Sequence, residues 1–149
     1  MSHKERGYAH RVDIRADASQ VWQALTQIGH LRVWCSPDAD MRARHGGLFR
    51  ASVDRVTEFE AHIDVFEPQR RLRLMYLPSR TQPPADTVMV DDFILEPRPG
   101  GTIVRLLGSG VPVSSEWDTQ YQRLRASWQQ AMSRLKIFVE QQAKTGAPT

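Results

Sequence analysis

The chemistry open to this chain rests on a handful of side chains, and Asp91 is the first of them. It lies in the run Met89-Val90-Asp91-Asp92-Phe93-Ile94-Leu95, where strand parity puts it on one face with Met89, Phe93 and Leu95. A carboxylate on an apolar face either has its pKa raised by burial or takes a partner such as an arginine or a tyrosine. Asp91 is therefore a candidate ligand anchor or general base. The plainer reading is an aspartate at a strand end that reaches solvent. His10 shares the inward face of the first strand, either as an acid/base group or as a hydrogen-bonded core residue. Cys35 has no Cys-His-Asn signature around it and reads as a small buried hydrophobe. The histidines at 3, 10, 30, 45 and 62 show neither H-x-x-x-H nor paired cysteine spacing, so no metal centre and no cofactor are expected. Gly108-Ser109-Gly110 is not a G-x-S-x-G nucleophile elbow, which argues against a serine hydrolase.

The elements that must position these groups follow from periodicity. Tyr8, His10, Val12 and Ile14 alternate with Ala9, Arg11, Asp13 and Arg15, a strand with one buried face. Asp17-Ala18-Ser19 offers caps for a helix carrying Val21, Trp22, Leu25 and Ile28. Gly29 is expected to break it, with a second short helix from His30 to Cys35 ended by Pro37. After the Gly46-Gly47 turn, Phe49, Ala51 and Val53 form one strand face, and Phe59, Ala61, Ile63 and Val65 the next. Leu72, Leu74 and Tyr76 open a further strand beyond Pro68. Outward acids on these strands can face outward arginines across antiparallel pairs. The turn-rich stretch from Pro78 to Pro84 is the candidate mobile flap. Strands through Val88 to Leu95 and Thr102 to Leu107 flank a hairpin at Pro97-Arg98-Pro99-Gly100-Gly101.

The last element is the clearest. Ser115 with Asp118 resembles a capping box, and Trp117, Tyr121, Leu124, Trp128, Ala131, Met132, Leu135, Phe138 and Val139 follow at steps of three and four. Ile137 falls off that stripe and is expected to be exposed. A helix of about 25 residues spans roughly 37 Å, enough to cross the whole domain. Strands in succession with helices grouped at the ends make an α+β fold, with a curved antiparallel sheet of about six to seven strands.

Bulk properties set the wider limits. The 149 residues suit one domain over 1–149, with an ordered core from about 8 to 142. Lys+Arg number 20 against 17 Asp+Glu, and arginines are interleaved with acids, as in Arg11-Val12-Asp13, so nucleic acid is not the expected partner. Cys35 is the sole cysteine, which points to a reducing compartment. Met1 to Arg6 lead into no apolar segment, and no run has the length of a membrane span, so a cytoplasmic location is expected.

Several motifs are familiar. Val21-Trp22-Gln23-Ala24-Leu25-Thr26 followed by Trp34 resembles the opening of the START-like, or SRPBCC, superfamily. Within its branch of heat-shock-protein-90 ATPase activator homologues, Arg44-His45-Gly46-Gly47-Leu48-Phe49-Arg50 is similar to the Gly-Gly strand entry. Glu67-Pro68-Gln69-Arg70-Arg71-Leu72 resembles the P-x-x-R-L corner, and Gly101-Thr102 with Val104 and Leu106 the GGT-x-V-x-L hairpin. Trp128, with Leu135 seven residues on, is similar to the late-helix tryptophan. In this order the motifs span residues 8 to 140.

The resemblance implies a helix-grip fold, the sheet wrapped around the C-terminal helix with two short helices after the first strand. It further implies an apolar cavity near the N-terminal half of that helix. Its expected linings are Trp34, Phe49, Phe93, Trp117, Tyr121 and Trp128, then Tyr76 and Met89, residues that would otherwise simply pack the core. Three functions follow from it. The first is binding of a small hydrophobic molecule, lipid-like or aromatic, without covalent chemistry. The second is a metal-free cyclase or aromatase-type enzyme, in which Asp91, His10 or Tyr121 would converge in one pocket. The third is an interaction module contacting a chaperone or a second copy through an apolar patch that includes Ile137, Ile103 and Leu107.

Overall fold

The computed structural model describes residues 5–53, 57–79 and 82–145. Its strands are β1 (Glu5–Ile14), β2 (Asp40–Met41), β3 (Leu48–Val53), β4 (Thr57–Glu67), β5 (Arg71–Tyr76), β6 (Val90–Arg98) and β7 (Gly101–Pro112). Its helices are α1 (Ala18–Thr26), α2 (Ile28–Trp34) and the terminal α3 (Asp118–Lys144). The strands form one curved antiparallel sheet in the order β1-β7-β6-β5-β4-β3-β2. From β2 to β7 the chain is a meander, and β1 closes it by pairing with β7. This is the expected α+β helix-grip architecture, with the two-residue β2 added at the far edge beside β3.

The local reasons are mostly side-chain chemistry. Asp17 caps α1 in a reciprocal box: it accepts from the Gln20 amide at 2.9 Å while the Gln20 side chain accepts from the Asp17 amide. The break between α1 and α2 falls at Gln27, whose backbone is extended, and Gly29 sits inside the first turn of α2 rather than ending α1. Pro99 and Gly100 make the tight β6–β7 turn, where Gly100 supplies a φ of 83°. Outward acids do meet outward arginines: Arg71 grips Asp92 with two bonds of 2.7 and 3.0 Å, and Arg105 holds Glu96 at 2.8 Å.

Three expectations are corrected. A register shift between Ile63 and Val65 in β4 turns Val65 to the Arg73 side and brings Phe66 inward, opposite Leu72 and edge-on to Trp22 at 5.2 Å. The Ser115–Asp118 capping box does not form. Ser115–Trp117 instead make a 3₁₀ turn, α3 begins uncapped at Asp118, and the Asp118 carboxylate takes Arg6 at 2.8 Å. Of the supposed apolar patch, Ile137 and Leu107 are 58% and 43% exposed, but Ile103 is only 3% exposed. Its register neighbours Asp13 and Glu96, with their arginine partners, flank it on the outer face. Of the candidate flap from Pro78 to Pro84, Arg80 and Thr81 lie outside the described residues.

The helix α3 buries Leu124, Trp128, Ala131, Met132, Leu135 and Val139 against the sheet. It runs alongside β1 and is fastened there by polar links in sequence: Asp118 to Arg6, the Tyr121 hydroxyl to Gly7 C=O at 2.6 Å, and Glu140 to the Arg15 amide at 2.9 Å. No helix among the described residues is long and apolar enough to cross a membrane.

One residue holds its backbone against its own preference. Gln69, after Pro68 in the β4–β5 turn, takes a φ of 65°, and Arg70 donates its amide to Glu67 C=O at 3.0 Å. A side chain in this region costs about 1–2 kcal/mol, and glycine relieves it at some entropic loss. Gln69→Gly should therefore gain about 0.5–1 kcal/mol and raise Tm by roughly 2 °C in thermal unfolding. A variant less stable than the parent would contradict this account of the turn.

Candidate functional site

Asp91 points inward and is 2% exposed. Its position explains its main partner. Asp91 on β6 and Tyr8 on β1 are both register partners of Gly108, on the strand between them. The Tyr8 ring lies across Gly108, so closely that a Cβ there would come within 2.3 Å of it, and its hydroxyl donates to Asp91 Oδ1 at 2.6 Å. Glycine at 108 is thus what lets a tyrosine reach over a whole strand. Tyr76 from β5 and Trp128 from α3 line the same small space as the carboxylate. Four elements converge on one acidic group.

Desolvation dominates its electrostatics. Burial pushes the Asp91 carboxyl up to about 6, against the opposing pull of hydrogen bonds from Tyr8, Tyr76 and Trp128. The Tyr8 and Tyr76 phenols are driven well above their ordinary range, first by burial and then by the Asp91 charge. They remain donors at any physiological pH. A void of about 10 Å³, room for a single water, lies beside the carboxylate among Tyr8, Phe59, Tyr76, Met89 and Trp128.

A larger space opens next to it. A cleft of about 150 Å³ lies between β3, β4 and β5 on one side and the middle of α3 on the other. Its apolar walls include Phe49, Ala51, Phe59, Tyr76, Trp128 and Ala131, with Cys35 at the end of α2. Ser52, Ser127, Gln130 and Arg134 are its polar members. Phe59, Tyr76 and Trp128 line both spaces and so form the partition between the cleft and Asp91. Burial pushes the Cys35 thiol up to about 12, which favours its protonated form.

The expected linings separate into groups. Phe49, Tyr76 and Trp128 face the cleft, and Met89 faces the void. Trp117 and Met89 line a different hollow of about 320 Å³ with Pro78, Ser79 and residues 82–88, where the Trp117 indole donates to Pro84 C=O at 3.1 Å. Trp34 and Phe93 are core: the Trp34 indole donates to Ala24 C=O at 2.7 Å, and Phe93 packs edge-on to Trp128 at 5.5 Å. The main cleft lies alongside α3 from Ser127 to Arg134, around the middle of the helix. His10, Tyr121 and Asp91 do not share one space. The Tyr121 hydroxyl is committed to Gly7 C=O with Arg6 stacked over its ring, and the half-buried His10 lies beside the Tyr8 ring at 5.6 Å, its pKa lowered first by desolvation. Tyr8, Ser52, Phe59 and Arg134 were not singled out from sequence. Tyr8 showed its inward parity, but only the register through Gly108 reveals what it touches.

The raised pKa has a measurable consequence. The folded state holds the Asp91 proton more tightly than the unfolded chain, whose aspartate titrates near 3.9. This contribution to stability is full below about pH 4 and lost as pH rises through about 6. Relative to Asp91→Asn, the native protein should lose about 2–3 kcal/mol of unfolding free energy between pH 4 and pH 7.5, read by urea titration. Parallel pH profiles for the two proteins would contradict a carboxylate buried in this way.

Comparison with known proteins agrees with this geometry. Residues 15–140 match the family described as Activator of Hsp90 ATPase homolog 1-like protein. No curated protein matches in sequence. Solved structures of similar fold include protein MLL2253 from Mesorhizobium loti, with TM-score 0.78 and 24% identity over 91% of this chain and 98% of that one. The Aha1 dimer from Colwellia psychrerythraea aligns with TM-score 0.75 and 18% identity, covering 91% and 96%. CalU16 from Micromonospora echinospora aligns with TM-score 0.71 and 20% identity, covering 95% and 80%. At these identities the structural likeness establishes the fold. The family match runs from the end of β1 to the last turns of α3, and the chain belongs to the Activator of Hsp90 ATPase homolog 1-like family.

Proposed function

We propose that this protein binds a small hydrophobic ligand, about the size of one aromatic ring, in the cleft between the sheet and α3. The observation that carries the reading is the cleft itself: about 150 Å³ walled by Phe49, Phe59, Tyr76 and Trp128, with a few polar groups along it. Aromatic walls with sparse polar tips are the usual construction of small-molecule sites. Its volume selects the ligand's size. An apolar cavity of about 150 Å³ accepts benzene, whereas sites for drug-sized ligands span roughly 300–1,000 Å³. A single ring or a short branched chain fits, and an extended lipid tail does not.

Binding without covalent chemistry is the reading the side chains favour. The cleft holds a neutral thiol and no base in direct contact with its space, because Asp91 stands behind the partition. In this scheme Asp91 fixes Tyr76 and Trp128, which shape the inner wall.

Calorimetric titration with benzene, indole and naphthalene tests the proposal. Saturable binding is expected for the single-ring probe, weakening as the ligand outgrows the cleft. Ala51→Phe and Ala131→Leu place new carbon atoms in the space and should each weaken binding by about tenfold or more, with the fold retained. A folded protein that binds none of the three probes, or filled variants that bind as well as the parent, would refute it.

A further inference from the structure

Arg134 is the charged member of the cleft, and its surroundings give it a direction. It sits on α3 one turn beyond Gln130 and beside Ala131 along the cleft wall. Its Nε donates to Trp34 C=O at 2.8 Å. Trp34 is itself 2% exposed and pinned through its indole to α1, so this anchor is rigid. With Nε engaged, the two terminal amino groups remain as a preformed fork. Arg6, Arg50, Arg71, Arg73 and Arg105 all hold carboxylates, but among the described residues no acidic side chain pairs with Arg134.

The acids nearest the cleft are otherwise committed. Asp38 accepts from the hydroxyls of Ser36 and Ser52, the latter at 2.9 Å, and these bonds hold its pKa below the usual range. Asp91 lies behind Phe59, Tyr76 and Trp128 and is already bonded to Tyr8. The cleft therefore offers an apolar interior and, on its helix side, an unpaired guanidinium next to the neutral polar groups of Ser127 and Gln130. A guanidinium fork fits a carboxylate with two parallel N–H···O bonds, a geometry that a neutral ligand cannot match.

We infer that the ligand is a small carboxylic acid: its ring-sized apolar body enters between Phe49, Phe59 and Trp128, and its carboxylate docks on the terminal nitrogens of Arg134. This rests on the cleft being a ligand site and adds the class of ligand that it selects. Arg134 would be the specificity-determining residue.

Benzoate and benzamide have the same ring and nearly the same shape, so their comparison isolates the charge. In titration calorimetry at low salt, benzoate should bind about tenfold or more tightly than benzamide, the scale of one charge-assisted interaction. Arg134→Gln should cost benzoate about tenfold more than it costs benzamide and so bring the two affinities together. Arg134→Lys keeps a cation and a donor for Trp34 C=O but loses the fork. It should retain only part of the benzoate preference, and it serves as the test if the glutamine variant does not fold. Equal affinities for the two probes in the parent protein, or a benzoate preference that survives both substitutions intact, would overturn the carboxylate inference while leaving the ligand cleft standing. Failure of both probes to bind the folded parent protein would remove the cleft reading and this inference together.

Discussion

A carboxylate sealed between a sheet and a helix is the constraint that organises this molecule. Among the described residues no cation pairs with Asp91, so its oxygens depend on neutral donors such as the Tyr8 hydroxyl at 2.6 Å. Tyr8 reaches it from β1 across Gly108, and Tyr76 of β5 and Trp128 of α3 stand around the same small space. Each of the three brings a large ring with it. Tyr76 and Trp128, together with Phe59, form the wall around the acid, and the cleft opens on the other side of that wall.

The helix is held unevenly for a related reason. Along β1 it is tied by Arg6, Gly7 and Arg15 to Asp118, Tyr121 and Glu140, and its apolar stripe packs inward from there. On the side of β3 and β4 the facing residues include small ones, Ala51 across from Ala131, and the space between them stays open. An arginine is at home on this wall because its Nε satisfies a backbone carbonyl of α2 while its charged end remains by the cleft. Rigid fastening on one edge and small side chains on the other are what a sheet wrapped on a helix needs to keep a cavity without losing the core.

Much of the fold was legible from sequence because it rests on periodicity. The alternation of β1, the apolar stripe of α3, the Asp17 cap and the Pro99-Gly100 turn all formed as read. What failed was finer. The shift near Asp64 in β4 adds one residue on one strand only, so no alternation rule could have exchanged Val65 for Phe66. The start of α3 looked like a capping box, but the preceding residues wound into a 3₁₀ turn and moved Ser115 away from the cap. The site was legible in part: parity placed Asp91 inward and composition offered its aromatic neighbours. Tyr8 and Arg134 were not, since their roles depend on the β1–β7–β6 register and on the approach of α3 to α2, which are long-range facts. His10 and Tyr121 had the right residue types on inward positions, yet the Tyr121 hydroxyl is taken by a backbone carbonyl and His10 lies beside the Tyr8 ring, outside the cleft.

The central claim is that a ligand occupies the cleft between β3, β4 and α3, with Asp91 behind its inner wall. Intermolecular NOEs from a saturating single-ring probe to alanine methyl groups test this directly, because Ala51 and Ala131 face each other across the space. NOEs to both of those methyls are the predicted result. NOEs confined to exposed methyls such as those of Val88 and Val113, or none at all from a bound probe to either alanine, would contradict it.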